Sequence, residues 1–182
     1  MAEHDLRAAK RYATALFNHA TKQKQVDAVE RDLDTVIDMM RLSPDLRRTW
    51  ESPLLAGQRK AQIMEKVLAD SVGEITLSFL RLLITKRREE ILPAVRTEMR
   101  NLADRARRLL RVEATFAIPP TAEEQAGLAR SLESRTGERV VLAYHIDPSI
   151  LGGVVVRMRD TIIDGSVRGA LERMRDQLLQ EA

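Results

Sequence analysis

The spacing of apolar residues changes near residue 110, and this change most constrains what the chain can fold into. Before it, apolar side chains recur every three or four residues, as in the run from Leu6 to Ala20, which is typical of one face of a helix. After it, Val112, Ala114 and Phe116 alternate with polar residues, as in a half-buried strand. The sequence therefore predicts an α+β fold. An N-terminal antiparallel bundle of about six helices, residues 1–105, precedes a small mixed α/β C-terminal domain, residues 106–182.

Stop and start signals divide the first part into helices joined by short connections. Ser43-Pro44 interrupts the helical pattern, because proline disfavours helix at the residue before it and serine can cap the helix that follows. Ser52-Pro53 closes the next short segment. Ser71 and Glu74 have the spacing of a capping box. The helix that they open is apolar around most of its circumference through Ile84, so we expect it at the centre of the bundle.

The second part alternates short strands with two helices. Thr121 and Glu124 have capping-box spacing, and Gly137 follows the predicted helix at the position where helices often end. Alternating residues predict further strands over 140–146, 154–158 and 161–163. Ser166 is predicted to cap a last helix from Val167 to Leu178.

Composition argues against several classes of function. The chain has no cysteine, which excludes disulfides and thiolate chemistry, and its three histidines lack a metal-ligand spacing. We predict no catalytic residue, no metal and no cofactor. The net charge is only +3, with 30 basic against 27 acidic residues, so nucleic-acid binding is not favoured. The amino terminus lacks the pattern of a signal peptide, and no window has the roughly 20 apolar residues of a membrane span.

Two features indicate binding surfaces. The first helix carries Ala8, Ala9, Ala13 and Ala15, and such small side chains let a partner helix approach closely, so it could border a groove. Clusters of basic residues at 86–88 and 105–108 could contact phosphates or acidic partners. From the residues alone, an RNA- or ribosome-associated adaptor and a small enzyme assembled from both domains stay open as alternatives.

Three stretches resemble one known family. The run RYATALF from Arg11 to Phe17 resembles the opening motif of the delta subunit of the bacterial F-type ATP synthase, the oligomycin-sensitivity-conferring protein family. The middle of the chain, around Phe79 to Leu83 and Lys86 to Arg88, is similar to its central region. Two blocks near the carboxyl end, DPSILGGV and IDGSV, are the most specific match, and the signature positions in them are Asp147, Gly152, Gly153, Asp164, Gly165 and Ser166.

This resemblance implies a non-catalytic stator subunit in the peripheral stalk. In that family the helical domain binds the amino-terminal helix of an alpha subunit between its first and fifth helices, and the matching positions are Tyr12, Ala15, Ser78 and Leu82. The second domain of the family binds the carboxyl ends of the b subunits. The implied protein is a monomer within its complex, binds no nucleic acid, and lies at the cytoplasmic face of the inner membrane as a peripheral protein.

Overall fold

The chain forms two compact units, which divide between Ala103 and Asp104. The computed structural model describes residues 3–180, and these contain eight α-helices and four β-strands. The α-helices are α1 (Glu3–Lys22), α2 (Val26–Leu42), α3 (Pro44–Glu51), α4 (Gly57–Leu68), α5 (Glu74–Thr85), α6 (Leu92–Ala106), α7 (Ala122–Thr136) and α8 (Val167–Gln180). The strands are β1 (Leu109–Phe116), β2 (Arg139–Ile146), β3 (Val154–Met158) and β4 (Thr161–Asp164). The predicted α+β fold class is confirmed.

The core of the first unit is mostly aliphatic and contains side chains from each of α1 to α6. Helix α1 packs its alanine face inward, and Ala9, Ala13 and Ala20 are completely buried. Helix α2 contributes Leu33 and α5 contributes Leu83, both also without exposed surface. Each such leucine stabilises the fold by about 2 kcal/mol relative to an exposed one, so the bundle is held chiefly by apolar burial.

One predicted helix start is confirmed and another is wrong. The Ser43 hydroxyl accepts a hydrogen bond from the Leu46 N–H at 3.3 Å and so caps α3. At α5 the capping residue is Gly73, which has no side chain to act as a cap. The Asp32 carboxylate of α2 lies beside this helix start and accepts from the Gly73 N–H and the Thr76 hydroxyl, each at 2.8 Å. The predicted Ser71 capping box does not form, because α5 begins at Glu74 and Ser71 lies two residues before its capping residue.

The second unit is a four-stranded mixed sheet in the order β2-β1-β3-β4. Strands β1 and β2 are parallel and are connected through α7, whereas β3 and β4 add in antiparallel fashion. The Thr121–Glu124 capping box at the start of α7 is confirmed, and Gly137 ends the helix with a φ of 70°. Leu110, Val112, Leu132 and Val156 form the small buried core.

Candidate helix-binding groove

An open groove of about 310 Å³ runs between α1 and α5 in the first unit. The four positions predicted for a partner helix, Tyr12, Ala15, Ser78 and Leu82, all line it. The remaining lining residues, which the sequence argument did not single out, are Leu16, His19, Glu74, Ile75 and Phe79. They lie three or four positions from the predicted ones on the same helices, so helical periodicity was the signal that could have found them.

The floor of the groove is aromatic and aliphatic. The rings of Tyr12 and Phe79 meet edge to face with their centroids 6.4 Å apart, an arrangement that aromatic pairs favour. Leu16 and Phe79 are buried below this surface, with 5% and 7% of each residue exposed. Leu82 stands at the side and is 42% exposed, so the groove presents apolar surface that the chain itself leaves uncovered.

Small side chains keep the groove open. Ala15 on α1 and Ser78 on α5 are both exposed and line the groove. Neither extends far from its backbone, so another helix can approach closely there. Charged or ionisable lining groups are confined to His19, Glu74 and the Tyr12 phenol. Among the residues that the structure describes, no three acidic or histidine side chains are placed to hold a metal ion.

The two signature blocks of the second unit are hydrogen-bonded to each other. The Gly165 N–H donates to the Val154 carbonyl and the Val167 N–H donates to the Gly152 carbonyl, both at 3.0 Å. These bonds join the end of β4 and the start of α8 to the first residue of β3 and to the glycine pair that precedes it. The signature therefore fixes where α8 begins.

Two aspartates complete these turns. Asp147 accepts a hydrogen bond from the Ser149 N–H at 2.9 Å, and Asp164 accepts one from the Ser166 N–H at 2.8 Å. Hydrogen bonds from the serine side chain, and next from its backbone, lower the pKa of each aspartate. Ser166 is buried, and its hydroxyl caps α8 by accepting from the Gly169 N–H at 3.0 Å, which confirms the predicted start of that helix.

We expect Gly153→Ala to destabilise the second unit by about 2 kcal/mol or more, because the backbone there is left-handed and alanine is strained in it. Gly153 has a φ of 75°, and an added Cβ would lie 2.2 Å from the Gly165 carbonyl oxygen. Loss of amide protection in β3 and β4, measured by hydrogen-exchange mass spectrometry, checks the prediction.

Gly127→Ala is the matched control for this substitution. Gly127 lies within α7, and an added Cβ meets nothing within 4 Å. Alanine should stabilise that helix by about 0.5–1 kcal/mol. Equal protection in the Gly153→Ala and wild-type proteins would contradict the role given to the signature turn.

The fold and the groove together define a two-unit binding protein with an open helix-sized groove on its all-α unit. Comparison with known proteins agrees in detail. The family model described as "ATP synthase delta (OSCP) subunit" matches residues 8–178. The chain belongs to this family, and it is a non-catalytic subunit of the peripheral stalk of an F-type ATP synthase.

Individual relatives match over nearly their full length. An ATP synthase subunit delta from Gemmatimonas aurantiaca is 37% identical over 170 residues, which cover 93% of this chain and 92% of the relative. One from Syntrophomonas wolfei is 31% identical over 172 residues, 94% of each chain. A chain of the Toxoplasma gondii mitochondrial ATP synthase hexamer has the same fold, with a TM-score of 0.70 at 24% identity over 94% of this chain and 97% of its own.

The comparisons give no support to the alternative of an RNA- or ribosome-associated adaptor. None of the helices within the described residues is both long enough and apolar enough to cross a membrane. These findings leave the partners of the groove and of the second unit to be inferred from the surfaces themselves.

Proposed function

We propose that the groove between α1 and α5 binds the amino-terminal helix of an alpha subunit and so attaches this chain to the catalytic head. The observation that carries the proposal is that Tyr12, Ala15, Ser78 and Leu82 line one open groove with an apolar floor. An amphipathic helix matches such a surface, since its apolar stripe fills the groove while its polar face stays in water.

Such a contact suits a brace that must resist rotation. Each 100 Å² of apolar surface buried in the groove contributes about 2.5 kcal/mol before the costs of ordering the partner. A grip of this kind depends little on ionic strength, because it does not rely on exposed charge pairs. The groove then holds a partner helix that dissociates slowly, and it contributes no catalysis.

The second unit offers a separate surface for the b subunits. Val167, Leu171 and Met174 follow one another at steps of four and three residues along α8, and they are 45%, 54% and 59% exposed. These three side chains form an apolar stripe on one side of α8, and about half of each residue is exposed. We assign it to the carboxyl-terminal helices of the b subunits, since an apolar helix face is the kind of surface that a partner helix packs against.

Through the two contacts the chain links the head to the membrane-anchored stalk. It therefore acts as a stator subunit that stops the head from turning with the rotor during proton-driven ATP synthesis. In this role the protein is a monomer within its complex, at the cytoplasmic face of the membrane and peripheral to it. It needs no cofactor and no nucleic acid.

Affinity capture of the tagged chain from gently solubilised membranes tests the proposal. We expect near-stoichiometric alpha, beta and b subunits by mass spectrometry. Capture of ribosomal proteins or RNA without synthase subunits would overturn it.

Leu171→Glu should separate the two contacts in the same experiment. A charge in the middle of the α8 stripe cannot be buried against an apolar partner without a large cost, so b should be lost while alpha and beta are retained. Leu171 is already 54% exposed, so the free chain should fold normally. Arg173→Gln lowers the net charge by the same amount on another face of α8, where the side chain is also exposed, and it should keep all three partners. Retention of b by Leu171→Glu would show that the stripe is not the interface.

A further inference from the structure

One edge of the sheet in the second unit is long and unprotected. Strand β2 forms this edge, and all eight of its residues pair with β1 in a continuous register, without a bulge. It contains no proline and no lysine, the residues that commonly protect such edges, and its one charged residue is Arg139 at its start. The opposite edge strand, β4, has only four residues. A long edge of this kind is a template on which another strand can pair.

The hydrogen bonds of β2 show which of its backbone groups face outward. The N–H groups of Arg139 and Asp147 donate to carbonyls at or next to the two ends of β1, each at 2.8 Å. Backbone groups of successive residues point to opposite sides of a strand, so the even-numbered residues face the free edge. The Val140 N–H agrees with this direction, because it donates away from β1 to the Glu133 carboxylate of α7 at 2.9 Å.

Three further residues of β2, Leu142, Tyr144 and Ile146, therefore present their backbone N–H and C=O groups to the free edge. Within residues 3–180, no strand lies on that side of β2. The side chains here are also accessible, since Val141, Tyr144 and Ile146 are 43%, 43% and 48% exposed. Helix α7 therefore leaves this part of the edge open to a strand from outside the chain.

The charges at the two ends of this edge are complementary to a second copy of the same edge. When Ala143 faces Ala143 of an antiparallel second copy, Arg139 of each strand lies opposite Asp147 of the other. Both residues are exposed, and opposite charges that face each other across two strands are favourable. A register shifted by two residues places Arg139 opposite His145, or Asp147 opposite Val141, and loses both charge pairs. Charge therefore selects both the occupant and its register.

The same register matches the side chains and the backbone groups between these ends. Leu142 of each strand lies opposite Tyr144 of the other, so the free backbone groups of both residues meet and can exchange hydrogen bonds. Leu142 also packs against the small core, so this aliphatic–aromatic pair extends that core across the edge. Ala143 lies opposite itself in a pair without hydrogen bonds, where side chains come closest and a small residue fits.

We propose that two copies of the isolated chain associate through their β2 edges, antiparallel and centred on Ala143, so that their two sheets join into one. The contact is one strand wide, and interfaces this small are weak and reversible. It uses neither the groove residues nor the α8 stripe. The dimer is therefore a state of the chain outside its complex, and it does not depend on the stator assignment.

Analytical ultracentrifugation of the full-length chain from about 5 to 500 μM tests the association, since weak interfaces dissociate in this range. We expect the average mass to rise from 20.6 kDa toward twice that value. Tyr144→Pro removes an outward N–H that the fold does not use, so it should weaken association at least tenfold. Ile162→Pro is the matched control, because Ile162 is 63% exposed on the other edge strand and its N–H also faces outward. A constant mass of 20.6 kDa for the wild-type chain, or equal behaviour of the two proline variants, would overturn the proposal.

Single cysteines test the register, because the chain has no cysteine of its own. Ala143→Cys brings two thiols face to face with their Cβ atoms about 4.5 Å apart, which is within reach of a disulfide. We expect mild oxidation to link most of this variant into dimers. Val141→Cys lies on the same face but has no thiol opposite it, so it should stay unlinked. Faster linkage through Leu142→Cys or Tyr144→Cys than through Ala143→Cys would show a different register and overturn the proposal.

Discussion

Ala15→Asp is expected to weaken binding of a synthetic alpha-subunit amino-terminal helix by roughly a hundredfold, or about 3 kcal/mol. Ala15 lines the groove beside Tyr12 and Ser78. A carboxylate there would lose water on binding and would face only apolar surface of the partner. The side chain is exposed in the free chain, so the substitution should change affinity and not folding. Isothermal titration calorimetry of the full-length protein with the peptide measures the effect.

Thr14→Asp is the matched control for this result. Thr14 precedes Ala15 on α1, is exposed, and does not line the groove. It adds the same charge to the same helix, so peptide affinity should stay within about threefold of wild type, as is usual for exposed charges. Equal affinities for Ala15→Asp and the wild-type protein would show that the helix binds somewhere else. Equal losses in both variants would point to long-range charge repulsion instead of groove burial.

Signals between neighbouring residues predicted the fold well. The change of period near residue 110 separates helices from strands because side-chain direction follows the local backbone. The caps at Ser43, Thr121 and Gly137 are confirmed because donor and acceptor lie within four residues of each other. For the same reason, once one groove residue on a helix is known, the other groove residues of that helix can be predicted three or four positions away.

Contacts between distant residues could not be predicted in this way. Asp32 accepts the Gly73 N–H at the start of α5 from 41 residues away, and no local pattern distinguishes it from other acidic residues of α2. Lys60 belongs to a helix start that reads as solvent-facing, yet it is buried against Glu89, 29 residues away. A cavity of about 890 Å³, which Lys60 and Glu89 border, could not be predicted for that reason. Its walls come from α2 to α6 and their connections, and only their packing brings them together.

That ion pair should be the most sensitive polar site for the stability of the first unit. We expect Glu89→Gln to lower the free energy of unfolding by about 3 kcal/mol, because it leaves the largely buried Lys60 ammonium without its counter-charge. The side chains of Lys60 and Glu89 are 5% and 16% exposed. Urea unfolding followed by Trp50 fluorescence reports on this unit directly, since the Trp50 indole donates to the Glu89 backbone.

The exposed pair between Arg47 and Glu51 provides the comparison. Its N–O distance is 2.9 Å, but its side chains are 64% and 59% exposed, so Glu51→Gln should change the free energy of unfolding by less than about 1 kcal/mol. The double substitution Lys60→Met with Glu89→Leu removes both buried charges and should recover most of the loss. If Glu89→Gln and Glu51→Gln had equal effects, Lys60 would have to reach water or another acceptor. If the double variant were less stable than Glu89→Gln alone, the hydrogen bond from Lys60 to the Trp50 carbonyl, and not the balance of charge, would be what stabilises this part of the bundle.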